Sequence, residues 1–311
     1  MKNEMIVLTH IDLDAVGCML NIEFKMPSIP KKYFYTNYAD MDNVITEIEE
    51  YVKNTGISTI LIADVSFSDN VQALRRLHSL GHCTLIDHHL YPKNFFDEFK
   101  GMNIIHDMSK CAASLCQEYF DNINENLEKL TYIINIYDTW QDDHRHFGVA
   151  QDLNDYFWTS TEYGKPMPLV KQIIQNDYKL PENYIDKVKE INTAFNVAMK
   201  DYEERKLIQR AGDRTIIFTL DWFNRILINE MKNGQNIIIG AGPSGIIKIR
   251  INKNALYTIE QTNQMRFKLT GTESIGHPHA FTWKIKGPIS LDILIKEVQK
   301  VNTVIQEILN V

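Results

Sequence analysis

The chain has 311 residues, 44% hydrophobic and 23% charged, with few Gly and Pro; these proportions exclude fibrous and disordered classes, and the length points to more than one domain. A net charge of −7 excludes a coat for long nucleic acid, which needs a basic surface, and no apolar run is long enough to span a bilayer. The four cysteines (Cys18, Cys83, Cys111, Cys116) form no CxxC pair and no apolar leader precedes the first strand-like run, so a zinc ribbon and secretion are disfavoured and a cytoplasmic location is expected.

The apolar pattern predicts a first strand at residues 5–8 and later strands at 32–35, 59–63 and 83–86, with helical spacing at 41–53 and 68–80 between them. A short strand at 103–105 follows, then helices at 112–120 and 127–137, further helical segments through 169–176, and a long helix over about 181–209. Alternation of this kind predicts βαβ units on a parallel sheet. The long helix starts at Pro181, where a missing N–H is harmless, and stops before Ala211-Gly212-Asp213, so it reads as a link between domains. From residue 214 the pattern restarts: a strand at 215–219, a helix at 222–231, strands at 236–239 and 246–251, another near 282–285, and a terminal helix from Ser290.

The expected fold class is therefore α/β, with a Rossmann-like parallel-sheet domain over residues 1–180, a helical linker over 181–212 and a smaller α/β domain over 213–311. Residues 1–200 are net acidic and residues 201–311 net basic. That division would let one part collect metal-binding carboxylates and the other receive phosphates.

Four groups of acidic or imidazole residues carry the chemistry: His10, Asp12 and Asp14; Asp64; Asp87-His88-His89; and Asp138. The first three follow predicted strands, and in an open parallel sheet the carboxyl ends of the strands form the ligand crevice. Asp12 and Asp14 are read as turn residues, two apart and able to face different metals. Singly, each residue has an ordinary explanation: Asp64 as a helix N-cap or turn former, Asp138 as a helix terminator, His10 or His89 as a hydrogen-bonded interior histidine. Together they form a set of hard oxygen ligands with a minority of imidazole and no thiolate, which suits Mn²⁺, with Mg²⁺ second, better than structural Zn²⁺. Two such ions, about 3.5–4 Å apart, share a carboxylate, acidify a bridging water and stabilise both oxygens of an in-line displacement at phosphorus.

Thr9-His-Ile-Asp-Leu-Asp-Ala-Val-Gly17, Ile62-Ala-Asp64, Ile86-Asp-His-His89 and Tyr137-Asp-Thr-Trp140 resemble the four motifs of DHH phosphoesterases, and the likeness extends over nearly the whole chain. The short His-x-Asp-x-Asp spacing, the Tyr-Asp-Thr-Trp run and Ala150-Gln-Asp-Leu-Asn154 most resemble the nano-RNase (NrnB) branch. The resemblance implies that His10, Asp12 and a bridging Asp64 hold one metal, while Asp14, Asp64, His88 and Asp138 hold the other. It further implies that His89 faces the phosphate and that Asp87 orients the histidine pair from behind.

Ser274-Ile-Gly-His-Pro-His-Ala280 resembles the glycine-rich signature of the DHH-associated C-terminal domain, which implies substrate contacts from Gly276 and His277. Ser274, Ile275 and Phe281 depart from that signature where the family often has glycine. Arg250 is a candidate for gripping phosphate bidentately; Lys248 shares its face, and a solvated strand face explains both equally well. Phe281 and Trp283 could stack a base, although aromatics in strands are more often core.

The expected activity is hydrolysis of short oligonucleotides to nucleoside monophosphates by a metal-bridging hydroxide. Overall acidity argues against a long nucleic-acid track. The alternatives are a small-molecule phosphoesterase acting on a cyclic nucleotide, a linear dinucleotide or 3′-phosphoadenosine 5′-phosphate, and a non-catalytic nucleotide-binding regulator. The expected partner is the short oligonucleotide or small nucleotide alone, without a membrane; a homodimer is compatible with the sequence.

Overall fold

The computed structural model describes residues 4–252, 255, 258–270, 280–285 and 289–309. The chain divides into two compact units, Met1–Ile191 and Asn192–Val311. The division falls inside the long helix, not at either end of the expected linker.

In the first unit, five strands form a parallel sheet: β1 (Met5–Thr9), β2 (Lys31–Tyr35), β3 (Thr59–Ala63), β4 (His82–Asp87) and β5 (Asn103–His106), in the order β2-β1-β3-β4-β5. Every residue of β1 is buried, as expected of a parallel strand covered on both faces. On one face Ile6 and Leu8 join a core with Ile60, Ile62 and Leu85 from the sheet, with Ile45 and Ile48 from α2 (Met41–Thr55), and with Leu74 and Leu77 from α3 (Val71–Ser79). Val7 points the opposite way and is equally buried. Helices α1 (Leu13–Lys25), α4 (Ala112–Phe120) and α5 (Glu125–Asp138) pack together, and α4 meets β4 and β5. Helices α6 (Phe147–Ser160) and α7 (Met167–Gln175) complete the unit ahead of α8 (Tyr184–Glu204).

The strand order reverses between β1 and β3, which is the switch point where ligands of such sheets bind. His10 and Asp12 follow β1, and Asp64 follows β3, so the topology alone brings them side by side.

The second unit carries a mixed sheet, β10-β9-β8-β7-β6, built from β6 (Ile208–Ala211), β7 (Arg214–Ile217), β8 (Ile237–Ala241), β9 (Ile246–Ile251) and β10 (Ala280–Lys284). Helices α10 (Ile259–Thr270) and α11 (Leu291–Leu309) contribute Met265, Leu269, Val298, Val301 and Ile305 to a core with Ile237, Ile239, Ile247 and Ile249. Helix α9 (Phe223–Lys232) lies against β8, so closely that a Cβ on Gly240 would stand 2.4 Å from the Phe223 ring.

Two expectations are corrected here. The linker helix was expected to run to about residue 209, but it stops at Glu204; Lys206 takes a left-handed φ of 56°, and Ile208–Ala211 forms β6. Ala211-Gly212-Asp213 is thus the turn of a hairpin in which Ala211 pairs with Arg214, with Gly212 at φ 62°, and not a helix stop. Among the described residues, no helix is long and apolar enough to cross a membrane.

Candidate metal centre

Asp12 caps α1: its Oδ1 accepts from Ala15 N at 3.1 Å and its Oδ2 meets His10 Nδ1 at 2.9 Å. Since Nδ1 is engaged, His10 is left with Nε2 as its ligand atom. Asp14, expected in a turn, lies in the first turn of α1 instead. It accepts from Ala112 N at 2.7 Å and from Ala113 N at 2.9 Å. A single carboxylate therefore belongs to the start of α1 and satisfies the first free N–H groups of α4. Asp64 is no N-cap. Asn70 caps α3, while Asp64 adopts a left-handed φ of 60° directly after β3, with its N–H donating to Ile86 O at 3.0 Å. Asp138 is the last residue of α5.

These elements bring the side chains together in two sets. His10, Asp12 and Asp64 offer ligand atoms within 4.8 Å of one another, and so do Asp14, His88 and Asp138. His88 Nε2 joins the sets: it lies 3.4 Å from Asp138 Oδ2, 3.6 Å from Asp64 Oδ1 and 3.8 Å from Asp14 Oδ2. Those separations are long for direct hydrogen bonds and suit groups arranged around a common centre. Asp64, His88 and His89 form a third set by distance. Both nitrogens of His89 are engaged, however, Nδ1 with Asp87 Oδ1 at 2.7 Å and Nε2 with the Tyr38 hydroxyl at 3.2 Å, so His89 stands beside the ligand sets.

The electrostatics fit metal binding. Burial, and then the charges of neighbouring carboxylates, push Asp64 and Asp138 well above the usual carboxylate range. Burial raises Asp14 too, against the pull of His88. Desolvation acts to raise Asp12 as well, but His10 outweighs it and holds the half-buried carboxylate low. Burial, reinforced by His89, lowers His88 despite the surrounding carboxylates, so it is held in the neutral form a metal requires. Asp64 Oδ2 and Asp138 Oδ2 are buried without a hydrogen-bond partner among the described residues. Orphaned buried carboxylate oxygens are costly, and divalent cations would satisfy both while relieving the repulsion. The donor set accordingly fits a pair of hard cations.

Behind the centre, Asp87 is fully buried and uses both oxygens: Oδ1 accepts from His89, and Oδ2 from the Tyr91 hydroxyl. Burial acts to raise Asp87, yet His89, His88 and Tyr91 hold it down to about 2. Tyr91 also accepts from Phe67 N at 3.3 Å, and His106 Nε2 donates to the His89 carbonyl at 2.7 Å. Tyr91, His106 and Tyr38 were not singled out from sequence. His106 ends β5 and was accessible to the strand-end argument used for the others; Tyr91 sits four residues beyond Asp87; Tyr38 has no local signal.

In the second unit, Arg250 is half-buried on β9, where it donates to Ile249 O at 3.1 Å. Lys248, on the same face, stands 5.7 Å from the Phe223 ring, and burial followed by Arg250 lowers its pKa. The face is therefore covered by α9 and is not simply solvated. Phe281 is buried against Ile249, its register partner, and stacks on Trp283 at 6.0 Å; it is a core residue and not a base platform. Ser274, Ile275, Gly276 and His277 lie outside the described residues.

No protein-family model and no curated protein matches the chain. Solved structures do. The chain is similar to a pGpG-specific phosphodiesterase, PggH from Vibrio cholerae, at 15% identity and a TM-score of 0.58, covering 97% of this chain and 99% of that one. It is similar to an exonuclease RecJ bound to manganese at 11% identity and a TM-score of 0.60, covering 97% and 90%. Against RecJ from Thermus thermophilus in complex with Mn²⁺, the identity is 11% and the TM-score 0.59; the match takes in 98% of this chain but only 52% of that one. At such identities the likeness speaks to architecture, and the architecture is plain: the chain has the two-sheet α/β fold of RecJ exonucleases and of the pGpG phosphodiesterase.

Proposed function

We propose that the chain is a two-metal phosphodiesterase of the DHH type, close to the nano-RNase branch, that hydrolyses short oligonucleotides to nucleoside monophosphates. The observation that carries this is the convergence of His10, Asp12, Asp14, Asp64, His88 and Asp138 at one sheet edge, with the Oδ2 atoms of Asp64 and Asp138 lacking partners. His10, Asp12 and Asp64 would hold one ion, and Asp14, Asp64, His88 and Asp138 the other, with Mn²⁺ the favoured metal. When bound, such ions acidify water and neutralise charge developing at phosphorus. The chain's own residues set the rest. Asp14 is fixed by two N–H donors, and the Asp87–His89 hydrogen bond leaves His89 Nε2, which meets the Tyr38 hydroxyl at 3.2 Å, as the atom that would exchange that contact for a phosphate oxygen. Burial opposes protonation of His89, but Asp87 outweighs it and raises its pKa, which favours donation from Nε2. We assign phosphate contacts in the second unit to Arg250, Gly276 and His277 on sequence grounds.

The net charge of −7 supports a short substrate. PggH is named for pGpG, a linear dinucleotide, and that likeness supports a dinucleotide as the preferred length. Four free, buried thiols are in keeping with a reducing cytoplasm. The test is hydrolysis of pApA, RNA and DNA of up to about twenty nucleotides, cyclic nucleotides and pyrophosphate, each with Mn²⁺ and with chelator. Activity should be greatest on the shortest strands and vanish with chelator, and Asp64→Asn should lower it roughly 100-fold or more. Preference for the longest strands would reject the short-substrate reading; full activity in Asp64→Asn would reject the ligand assignment.

A further inference from the structure

Tyr38 lies on the loop between β2 and α2, at the strand-end edge that carries the metal centre, and 55% of its surface is exposed. Its hydroxyl is 3.2 Å from His89 Nε2, and its ring centroid is 5.5 Å from that of His10, tilted by 34°. It thus spans a histidine from the proposed ligand set and the histidine proposed to face phosphate. The loop that presents it is built to stay in place. Asp40 accepts from Asn37 N at 2.9 Å, Thr36 Oγ1 at 3.2 Å and Asn37 Nδ2 at 3.3 Å, while Asn37 Oδ1 accepts from Ala39 N at 2.9 Å. Thr36 N donates to Thr9 O at 3.0 Å, which ties the loop to the residue immediately before His10.

A side chain locked by its surroundings yet open to solvent is the arrangement binding sites use to recognise a ligand without a large ordering cost. An aromatic ring so held is a stacking surface, and stacking tolerates any base because every base has a π face. We propose that Tyr38 is the nucleobase platform of this site: the base attached to the phosphate at the metal centre stacks on its exposed ring. The inference rests on the phosphodiesterase reading for where the phosphate lies. It makes a nucleotide, and not a bare phosphodiester, the thing recognised, and it places the aromatic contact in the first unit, the second-unit aromatic Phe281 being buried in the core.

The experiment is calorimetric titration with AMP and with ribose 5-phosphate in MnCl₂, on the wild type, Tyr38→Phe and Tyr38→Ala. Tyr38→Ala should weaken AMP about tenfold and leave ribose 5-phosphate unchanged, and Tyr38→Phe should keep AMP within about twofold. Unchanged AMP affinity in Tyr38→Ala overturns the platform; so does an equal loss for both ligands, or a wild type that binds no AMP. Hydrolysis of pApA is measured separately. A wild type that shows the expected binding pattern but cleaves no phosphodiester rejects the proposed reaction and leaves the platform standing. Cleavage of pApA with AMP affinity indifferent to Tyr38 rejects the platform alone.

Discussion

Asp64 combines a backbone conformation that costs a non-glycine residue roughly 1–2 kcal/mol with a buried carboxylate whose Oδ2 has no hydrogen-bond partner among the described residues. Both are unfavourable for folding alone, which is how residues held for chemistry commonly look. Asp87 is the opposite case, buried with every acceptor matched, and Tyr91 supplies the match on Oδ2. Replacing Tyr91 with Phe leaves that oxygen without its hydroxyl donor, at a cost of about 1–3 kcal/mol. If Tyr91 positions His89 through Asp87, Tyr91→Phe should lower kcat for pApA about tenfold with little change in KM, and displace the acid limb of the pH–rate profile. A loss of stability with kcat and the profile intact would make Tyr91 merely structural. The six proposed ligands stand out in the sequence as a set and not singly, because four groups of hard-ligand residues match one chemistry. Tyr38 does not, since its relation to His89 spans 51 positions and arises only when two loops meet.

At the scale of elements, β1 to β5 were legible because short apolar runs separated by amphipathic helices leave few other folds. Helix α1 was not, because every residue from Leu13 to Ile22 is buried and no polar stripe marks the helical period. Helix α10 was hidden for a different reason: its buried face mixes Met265 and Leu269 with Thr262 and Arg266, the last lying 5.7 Å from the Phe281 ring. Helix α1 also shows why its motif ends in glycine. A Cβ at Gly17 would lie 2.5 Å from Ala113 Cβ and 3.0 Å from Ile134 Cδ1, so α1, α4 and α5 approach closely only without it. That approach lets Asp14 reach the N–H groups of Ala112 and Ala113. Gly17→Ala should therefore destabilise the protein by about 1–3 kcal/mol, and it should also weaken Mn²⁺ binding, read by titration, because it shifts a proposed ligand's anchor. Loss of stability with unaltered Mn²⁺ affinity would show that the packing and the site are independent.

For the molecule as a whole, the proposed centre couples stability to pH and to metal. Asp14, Asp64 and Asp138 are raised above the ordinary value of 3.8, by burial first. In the metal-free protein they retain protons that the unfolded chain has already lost. Stability is then fully present on the acid side and declines as pH rises from about 4 through the folded-state values. His10 and His89, raised from 6.5 by Asp12 and Asp87 against their burial, act in the same sense through neutrality, while His88 alone opposes. Asp12 and Asp87 are lowered, so their contributions change only below the ordinary carboxylate value and leave this window untouched. Bound cations would replace those protons, and their affinity should grow as the carboxylates ionise. Melting of chelator-treated protein should accordingly show this cluster's stability falling as pH rises above the ordinary carboxylate value of 3.8, while the rise in Tm on adding Mn²⁺ widens over the same range. Asp64→Asn removes one carboxylate from the crowded set, so it should flatten the metal-free slope, raise Tm at pH 8 without metal and shrink the Mn²⁺ response. A Mn²⁺-induced Tm shift that is constant with pH, or an Asp64→Asn protein with the wild-type slope, would show that these carboxylates do not act as one metal-relieved cluster.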